Sequence, residues 1–261
     1  MDRTPSTSHF QQQPLLLVKV QRRPQFMNTP ETTISADAAQ HQGPHLGILA
    51  IVFTALFNAG LLAVTVFTGP THFPGPGESA DAIAEFFQTH PSSVLACSFL
   101  QFGSAIPLGI FTATIVSRLR FLGVRAAGPN IALFGGLMTA FNMAAAALVL
   151  WVMAYPGIAQ DAPVLRALYY LSFALGGPGY SVPLGLLMAG VCVPALFLKL
   201  LPKWIVILGL ILAVFGELSY FDLITSKALP LIPLTRFPGF VWLIAAGFAL
   251  PKSLAGRRSG L

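Results

Sequence analysis

Residues 46–68 read LGILAIVFTALFNAGLLAVTVFT, a run of 23 residues without a charged side chain. A helix crosses the hydrocarbon core of a bilayer in about 20 residues, so this run is long enough to span a membrane. Hydrophobic residues make up 55% of the 261-residue chain and charged residues only 9%. The sequence therefore predicts an all-α, polytopic membrane protein with six transmembrane helices. The five further runs are residues 91–117, 129–155, 163–200, 203–221 and 232–250.

The segments outside these runs differ in composition. Residues 1–44 are rich in Gln, Pro, Ser and Thr, and such a segment cannot bury enough apolar surface to offset its chain entropy. We expect a disordered cytoplasmic leader there, a six-helix bundle over residues 45–251 and a basic cytoplasmic tail over residues 252–261. A start of translation at Met27 is an alternative that the sequence leaves open.

The basic residues fall mainly on one side of the predicted bundle. Because Lys and Arg near span ends resist translocation, that side is expected to be cytoplasmic, and both termini with it. Membrane topology accounts for the excess of basic residues behind the net charge of +6. These residues do not form the contiguous basic face that a nucleic-acid partner would need. Of the fifteen basic residues, Arg166, Lys227 and Arg236 lie on the opposite side. The other twelve are Arg3, Lys19, Arg22, Arg23, Arg118, Arg120, Arg125, Lys199, Lys203, Lys252, Arg257 and Arg258.

Two pairs of spans share local patterns. The first and third contain TALFNA at residues 54–59 and MTAFNM at residues 138–143, so Asn58 and Asn142 both fall near the middle of the membrane. The second and fourth contain IPLGI at residues 106–110 and VPLGL at residues 182–186. A duplicated helical hairpin would explain these matches. Chance similarity between apolar helices is the alternative.

The fourth predicted span is too long for one crossing. As a continuous helix, residues 163–200 would extend about 57 Å at 1.5 Å per residue. Pro178 removes a backbone donor, and Gly176, Gly177 and Gly179 weaken the helix, so we expect a break at these four residues. Transporters build substrate sites at such interruptions, because the freed backbone must face protein or water. Close packing and kinking are the alternative role of Gly and Pro.

Glu217 is the only acidic or basic residue well inside a predicted span. A buried charge there costs at least a few kcal/mol, so we expect Glu217 to be protonated, hydrated or paired with Arg236. Interhelical hydrogen bonding is the alternative role for this polar layer, and it is favoured for the two asparagines. A functional role is favoured for Glu217, because a carboxylate is a costly way to hold helices together. The predicted substrate-binding residues are Glu217, Asn58, Gln101, Asn142 and Tyr180.

The loop after the first span contains a predicted amphipathic helix, with Ile83, Phe86 and Phe87 on its apolar side. This helix is expected to lie at the outer surface, facing lipid or the bundle. His72 and His90 in the same loop are not at a defined ligand spacing, so no metal site is predicted.

Signatures of catalysis are absent from the sequence. It contains no HExxH, GxSxG, P-loop or dinucleotide-binding motif. Cys97 and Cys192 lie inside predicted spans and form no metal-binding pattern. We therefore predict no catalytic residue and no cofactor, and nothing in the sequence argues for an enzyme.

The runs LLPKWIVILG at residues 200–209 and LTRFPGFVWLI at residues 234–244 resemble small bacterial multi-pass proteins of a domain-of-unknown-function family. In that family a Leu-Pro-basic-Trp turn begins a span at the cytoplasmic face. The resemblance covers the last two spans well and the rest loosely. It implies a bacterial inner membrane and brings no assigned activity.

Two functions fit these observations. The first is a small-solute or proton-coupled carrier with a polar cavity near mid-membrane. The alternative is a non-transporting membrane module that binds a protein or lipid partner through the amphipathic helix of the outer loop. The lipid bilayer is an expected partner in both cases, and a homo-oligomer is left open.

Overall fold

The computed structural model describes residues 40–69 and 71–253, where the chain is helical apart from turns, loops and one isolated backbone bridge. Six helical segments are long and apolar enough to cross a membrane, which confirms the predicted all-α class and span number. The fourth of these segments is divided into two helices. In chain order the helices are α1 (Leu46–Thr65), α2 (Ala80–Thr89), α3 (Pro91–Phe121), α4 (Gly128–Met153), α5 (Pro156–Ala159), α6 (Ala162–Gly176), α7 (Pro178–Leu198), α8 (Lys203–Leu218) and α9 (Leu231–Ala249).

Large apolar side chains cover the outside of the long helices. Phe99 of α3 and Phe197 of α7 are 78% and 79% exposed, and Phe134 of α4 is 59% exposed. Soluble monomeric proteins rarely expose a broad apolar surface, whereas lipid tails solvate one at no cost. The exposed surface and the six apolar helices are those of a multi-pass membrane protein.

The spans pack in sequence order, α1 on α3, α3 on α4, α4 on α7, α7 on α8 and α8 on α9, and α9 returns to pack on α1. This order closes a ring. Helix α7 also contacts α3 and α9, and its Leu184, Leu187, Met188 and Val191 are fully buried. It is therefore the most enclosed of the spans.

Glycines allow α4 and α7 to touch along their backbones. A Cβ atom on Gly190 would lie 2.5 Å from the Ala132 nitrogen, and one on Gly135 would lie 2.5 Å from the Pro183 carbonyl oxygen. Small residues permit such close approach between membrane helices, where packing replaces the hydrophobic effect as the force for association. The contact fixes α4 along α7 from Pro183 to Gly190.

Replacing Gly190 with Ala should lower the free energy of unfolding by about 1–3 kcal/mol, because the added methyl group would push the two backbones apart. Gly109→Ala is the matched control, since Gly109 is also helical but has no atom within 4 Å of its Cβ position. That change should be neutral or stabilising by about 0.5–1 kcal/mol. Denaturant titration in detergent measures both, and equal effects would contradict the proposed backbone contact.

The two ends of the described chain meet at one face of the bundle, which we call the terminal face. Gln40 and Ser253 form an antiparallel bridge, and the His41 N–H donates to the Lys252 carbonyl at 2.8 Å. These contacts place the last residues of the predicted leader, 40–44, beside the tail, a pairing that composition does not reveal. Residues 1–39, with Met27, and residues 254–261 lie outside the described part of the chain.

Arg118 is buried at the terminal face, with 1% of its surface exposed. Its Nη1 donates to the Leu250 carbonyl at 3.4 Å, and a cation near the last carbonyls of α9 also favours the helix dipole. Partial burial, and next the charge of Arg118, lower the pKa of His41. The Nε2 of His41 lies 3.0 Å from the Ser117 hydroxyl.

Helix α2 lies at the opposite face, which we call the α2 face. Its amphipathic character is as predicted, and Ile83, Phe86 and Phe87 are 1%, 4% and 0% exposed. The ring of Phe86 packs on Phe73, and the ring of Phe87 packs on Tyr169. The apolar side of α2 is therefore not a free surface for a partner.

Glu78 fastens the loop that precedes α2. Its carboxylate accepts the Gly75 N–H at 2.7 Å and lies 2.9 Å from His72 Nε2. These two interactions, the backbone one first, lower the pKa of Glu78. The loop is thus closed on itself next to α2.

Candidate functional site

The break in the fourth span lies at the residues where it was predicted. Helix α6 ends at Gly176, α7 begins at Pro178, and Gly177 joins them with φ −87° and ψ −102°. Pro178 has no N–H to offer the Ala174 carbonyl, and a Cβ on Gly179 would lie 2.8 Å from that oxygen. Glycine at position 179 therefore lets the chain turn closely over the Ala174 carbonyl.

Two further carbonyls at the break are taken by side chains from other helices. The Gly179 carbonyl would normally accept from residue 183, but Pro183 has no N–H, and Asn142 Nδ2 donates to it at 2.5 Å. The Gly176 carbonyl accepts from Arg236 Nη2 of α9. An unsatisfied backbone group in hydrocarbon costs several kcal/mol. Asn142 and Arg236 thus stabilise the interruption.

The predicted ion pair between Glu217 and Arg236 is wrong. Over residues 40–69 and 71–253, the ion pair that forms is His72 with Glu78, and no carboxylate oxygen lies within 4.0 Å of an Arg236 nitrogen. The prediction rested on membrane depth alone. Depth does not show that the helix break frees the Gly176 carbonyl, and this carbonyl is the acceptor for Arg236.

Arg236 borders a cavity of about 230 Å³ that lies between α1, α3, α4, α6, α7 and α9. Its guanidinium carbon is 4.7 Å from the centre of the Tyr180 ring and 5.4 Å from that of Phe57, distances typical of cation–π contacts. The rest of the lining is mostly apolar, and Arg236 is its one charged residue. The polar side chains of the lining are Gln101, Tyr169, Ser172, Tyr180 and Arg236.

The structure divides the predicted substrate-binding residues into two groups. Gln101 and Tyr180 line the cavity, as do Gly176 and Gly177 of the break. Asn58, Asn142 and Glu217 are not part of the lining. Asn58 donates to the Thr54 carbonyl of its own helix at 2.7 Å, and Asn142 holds the Gly179 carbonyl of α7. The predicted single polar layer is therefore not continuous.

Glu217 lies where α8 crosses α7. A Cβ on Gly216 would lie 2.7 Å from the Ser181 carbonyl oxygen, and one on Gly185 would lie 3.3 Å from Glu217 Oε1. Within the part of the chain that the structure describes, Glu217 Oε1 is buried and has no hydrogen-bond partner. Of the three states predicted for Glu217, the ion pair with Arg236 does not form. The protonated and the hydrated carboxyl group remain.

Two donors at the cavity have no acceptor among the described residues: Arg236 Nε and the Tyr180 hydroxyl. Tyr180 is fully buried. Buried donors without partners are rare in folded proteins, and both of these belong to side chains that line one cavity. In the described part of the chain, no group of three or more His, Cys, Asp or Glu residues is placed to hold a metal ion.

A roof over the cavity was not predicted from the sequence. The Tyr169 hydroxyl of α6 donates to the Pro74 carbonyl at 2.7 Å, and the Tyr170 hydroxyl donates to the Pro76 carbonyl at 3.3 Å. Phe73 of the same loop lines the cavity. These bonds join residues more than ninety positions apart, and no local sequence pattern signals them.

Asn142→Ala should lower the free energy of unfolding by about 0.6–2 kcal/mol, because it leaves the Gly179 carbonyl without a donor. Asn58→Ala is the control. The Thr54 carbonyl is also the α-helical acceptor for the backbone N–H of residue 58, so that change should stay within about 0.5 kcal/mol. Unfolding by denaturant in detergent compares the two variants, and equal losses would remove the structural role assigned to Asn142.

Comparisons of the chain with protein-family models, with curated protein sequences and with solved structures found no match.

Proposed function

We propose that the chain is a small-solute carrier and that its solute binds in the cavity beside the α6–α7 break. The observation that supports this most directly is the coincidence of an interrupted span with a cavity holding unpartnered donors, Arg236 Nε and the Tyr180 hydroxyl. Carriers commonly place their solute sites at interrupted spans, and here Arg236, which donates to the Gly176 carbonyl at the break, also lines the cavity.

The proposed location is a bacterial inner membrane, with the terminal face in the cytoplasm. The excess of basic residues at the ends and loops of that face supports the orientation. The resemblance of the last two spans to bacterial multi-pass proteins supports the choice of membrane. With this orientation the solute cavity lies in the outer half of the bundle.

Glu217 is the proposed proton-binding group of the carrier. It is a carboxyl group in an apolar span, without a salt-bridge partner among the described residues, and such residues commonly relay protons in transporters. The first turns of α7 connect it to the cavity, since Tyr180 lines the cavity while the Ser181 carbonyl faces α8. Movement of this segment would affect both positions.

The native cysteines offer a test of the cavity. Cys97 lines it, whereas Cys192 lies in the apolar core around α7. If solutes enter, N-ethylmaleimide should alkylate Cys97 at least about tenfold faster than Cys192, because access limits thiol reaction. Mass spectrometry of the detergent-solubilised protein measures both rates.

Ala146→Leu supplies the matched control for this labelling, because Ala146 lines the cavity and the larger side chain would fill part of it. It should slow the labelling of Cys97 and leave Cys192 unchanged. Equal, slow labelling of both cysteines in the native protein would mean a dry bundle and would remove the proposed site. Transport is tested by screening solutes for uptake into proteoliposomes. Proteoliposomes that contain the native protein should take up a solute that those with Ala146→Leu do not.

Glu217→Gln should leave the protein folded, because it replaces a carboxyl group that has no ion-pair partner with a neutral group of equal size. Uptake into proteoliposomes should lose its dependence on the pH gradient, since glutamine cannot exchange a proton. Glu85→Gln in α2 is the control and should keep that dependence. Unchanged coupling in Glu217→Gln would exclude Glu217 as the proton site, and misfolding would make its role structural.

A further inference from the structure

We propose that the solute is a small organic monoanion, a carboxylate on an apolar aromatic or short aliphatic body, whose charge is received by Arg236. This inference rests on the proposed function, because it names the class of solute for the same cavity. Charge, donor geometry and cavity volume each contribute to it.

The charge of the cavity is uncompensated. Arg236 is the charged residue of the lining, and no carboxylate of the described chain lies within 4.0 Å of it. A cation in an apolar, membrane-embedded site is costly unless it is paired. The two aromatic rings and the Gly176 carbonyl lower this cost in the empty state, and an anion would complete the compensation.

The donors available at the cavity suit a carboxylate. Arg236 uses Nη2 for the Gly176 carbonyl and leaves Nε without an acceptor, and the Tyr180 hydroxyl is likewise free among the described residues. A guanidinium group presents planar, fixed donors that match the two oxygens of a carboxylate better than a lysine would. The hydroxyl of Tyr180 adds a neutral donor at the same cavity.

The volume and lining limit the body of the solute. About 230 Å³ exceeds the roughly 150 Å³ of an engineered cavity that holds benzene, so a single ring with a carboxylate fits. Phe57, Phe73 and Phe173 contribute aromatic surface. A second negative charge would lie among apolar side chains without a cation, at high desolvation cost, and dianions are therefore excluded from the proposed class.

The alternative role of Arg236 is structural. Its bond to the Gly176 carbonyl places a cation at the C-terminal end of α6, where it favours the helix dipole. A purely structural arginine would stabilise the break but would not distinguish anions from neutral molecules. The experiment therefore compares probes of one shape and different charge.

Four probes are added separately to the full-length native protein in detergent at pH 7.5: benzoate, benzamide, benzylamine and terephthalate. Each is scored by slower alkylation of Cys97 by N-ethylmaleimide, with Cys192 as the internal reference, and by the midpoint of thermal unfolding. Benzoate should slow the labelling of Cys97 and raise the unfolding midpoint, as a ligand specific to the native state does. The other three should need at least about tenfold higher concentration for the same protection.

Variants then assign the effect to Arg236. Arg236→Gln retains an N–H donor for the Gly176 carbonyl but removes the charge, and it should abolish protection by benzoate. Arg166→Gln makes the same change of net charge at an arginine over the Tyr170 ring, outside the cavity lining, and should leave protection intact. Tyr180→Phe removes only the hydroxyl group and should weaken protection about three- to tenfold.

The outcomes separate this inference from the proposed function. If benzamide protects Cys97 as well as benzoate does, the solute cavity remains supported, but the proposal that the solute is an anion is overturned. Full protection of Arg236→Gln by benzoate, or no protection by any of the four probes, would also overturn it. Failure of Cys97 to react at all would remove the cavity itself. If Arg236→Gln does not fold, the four probes on the native protein, together with the Tyr180→Phe variant, still decide whether the cavity selects an anion.

Discussion

A backbone carbonyl inside the membrane is costly to leave without a donor. Two carbonyls lose their helical donor near the break: that of Gly176, where the chain turns, and that of Gly179, whose donor would be residue 183, a proline inside α7. The side chains that answer this need come from distant helices. Asn142 brings α4 to the Gly179 carbonyl, and Arg236 brings α9 to the Gly176 carbonyl. The break is therefore held from two sides, and the cavity lies in the space that this arrangement leaves open.

The cavity lies between two groups of buried apolar side chains. One surrounds α7 and fills the bundle toward the terminal face, and the other lies beneath α2 and includes Phe87 and Tyr169. Glycine contacts between α4 and α7 leave little free space in the first group. The second group is roofed by the loop that Tyr169 fastens through Pro74. Open space thus remains at the level where the fourth span turns.

The spans and the break could be predicted from the sequence because both depend on the order of residues alone. A long apolar run without charged residues predicts a membrane-spanning helix. A proline between two glycines predicts an interruption of that helix. The sequence also shows that the Gly179 carbonyl needs a donor from elsewhere in the chain, because Pro183 four residues later has no N–H. The acceptor of Arg236 and the lack of an ion pair between Arg236 and Glu217 could not be predicted, because the sequence indicates depth in the membrane but not the positions of side chains around the bundle. The roof was missed for the same reason.

The contact between Arg118 and the Leu250 carbonyl joins residues 132 positions apart, which has a consequence for biosynthesis. While the ribosome is still making α4 to α8, the guanidinium group of Arg118 has no acceptor from the last helix and stays hydrated among the lipid headgroups. A hydrated cation at the end of a span resists passage through the membrane. The contact can form only once α9 has been made, so the end of α3 and the end of α9 are joined late in the synthesis of the chain.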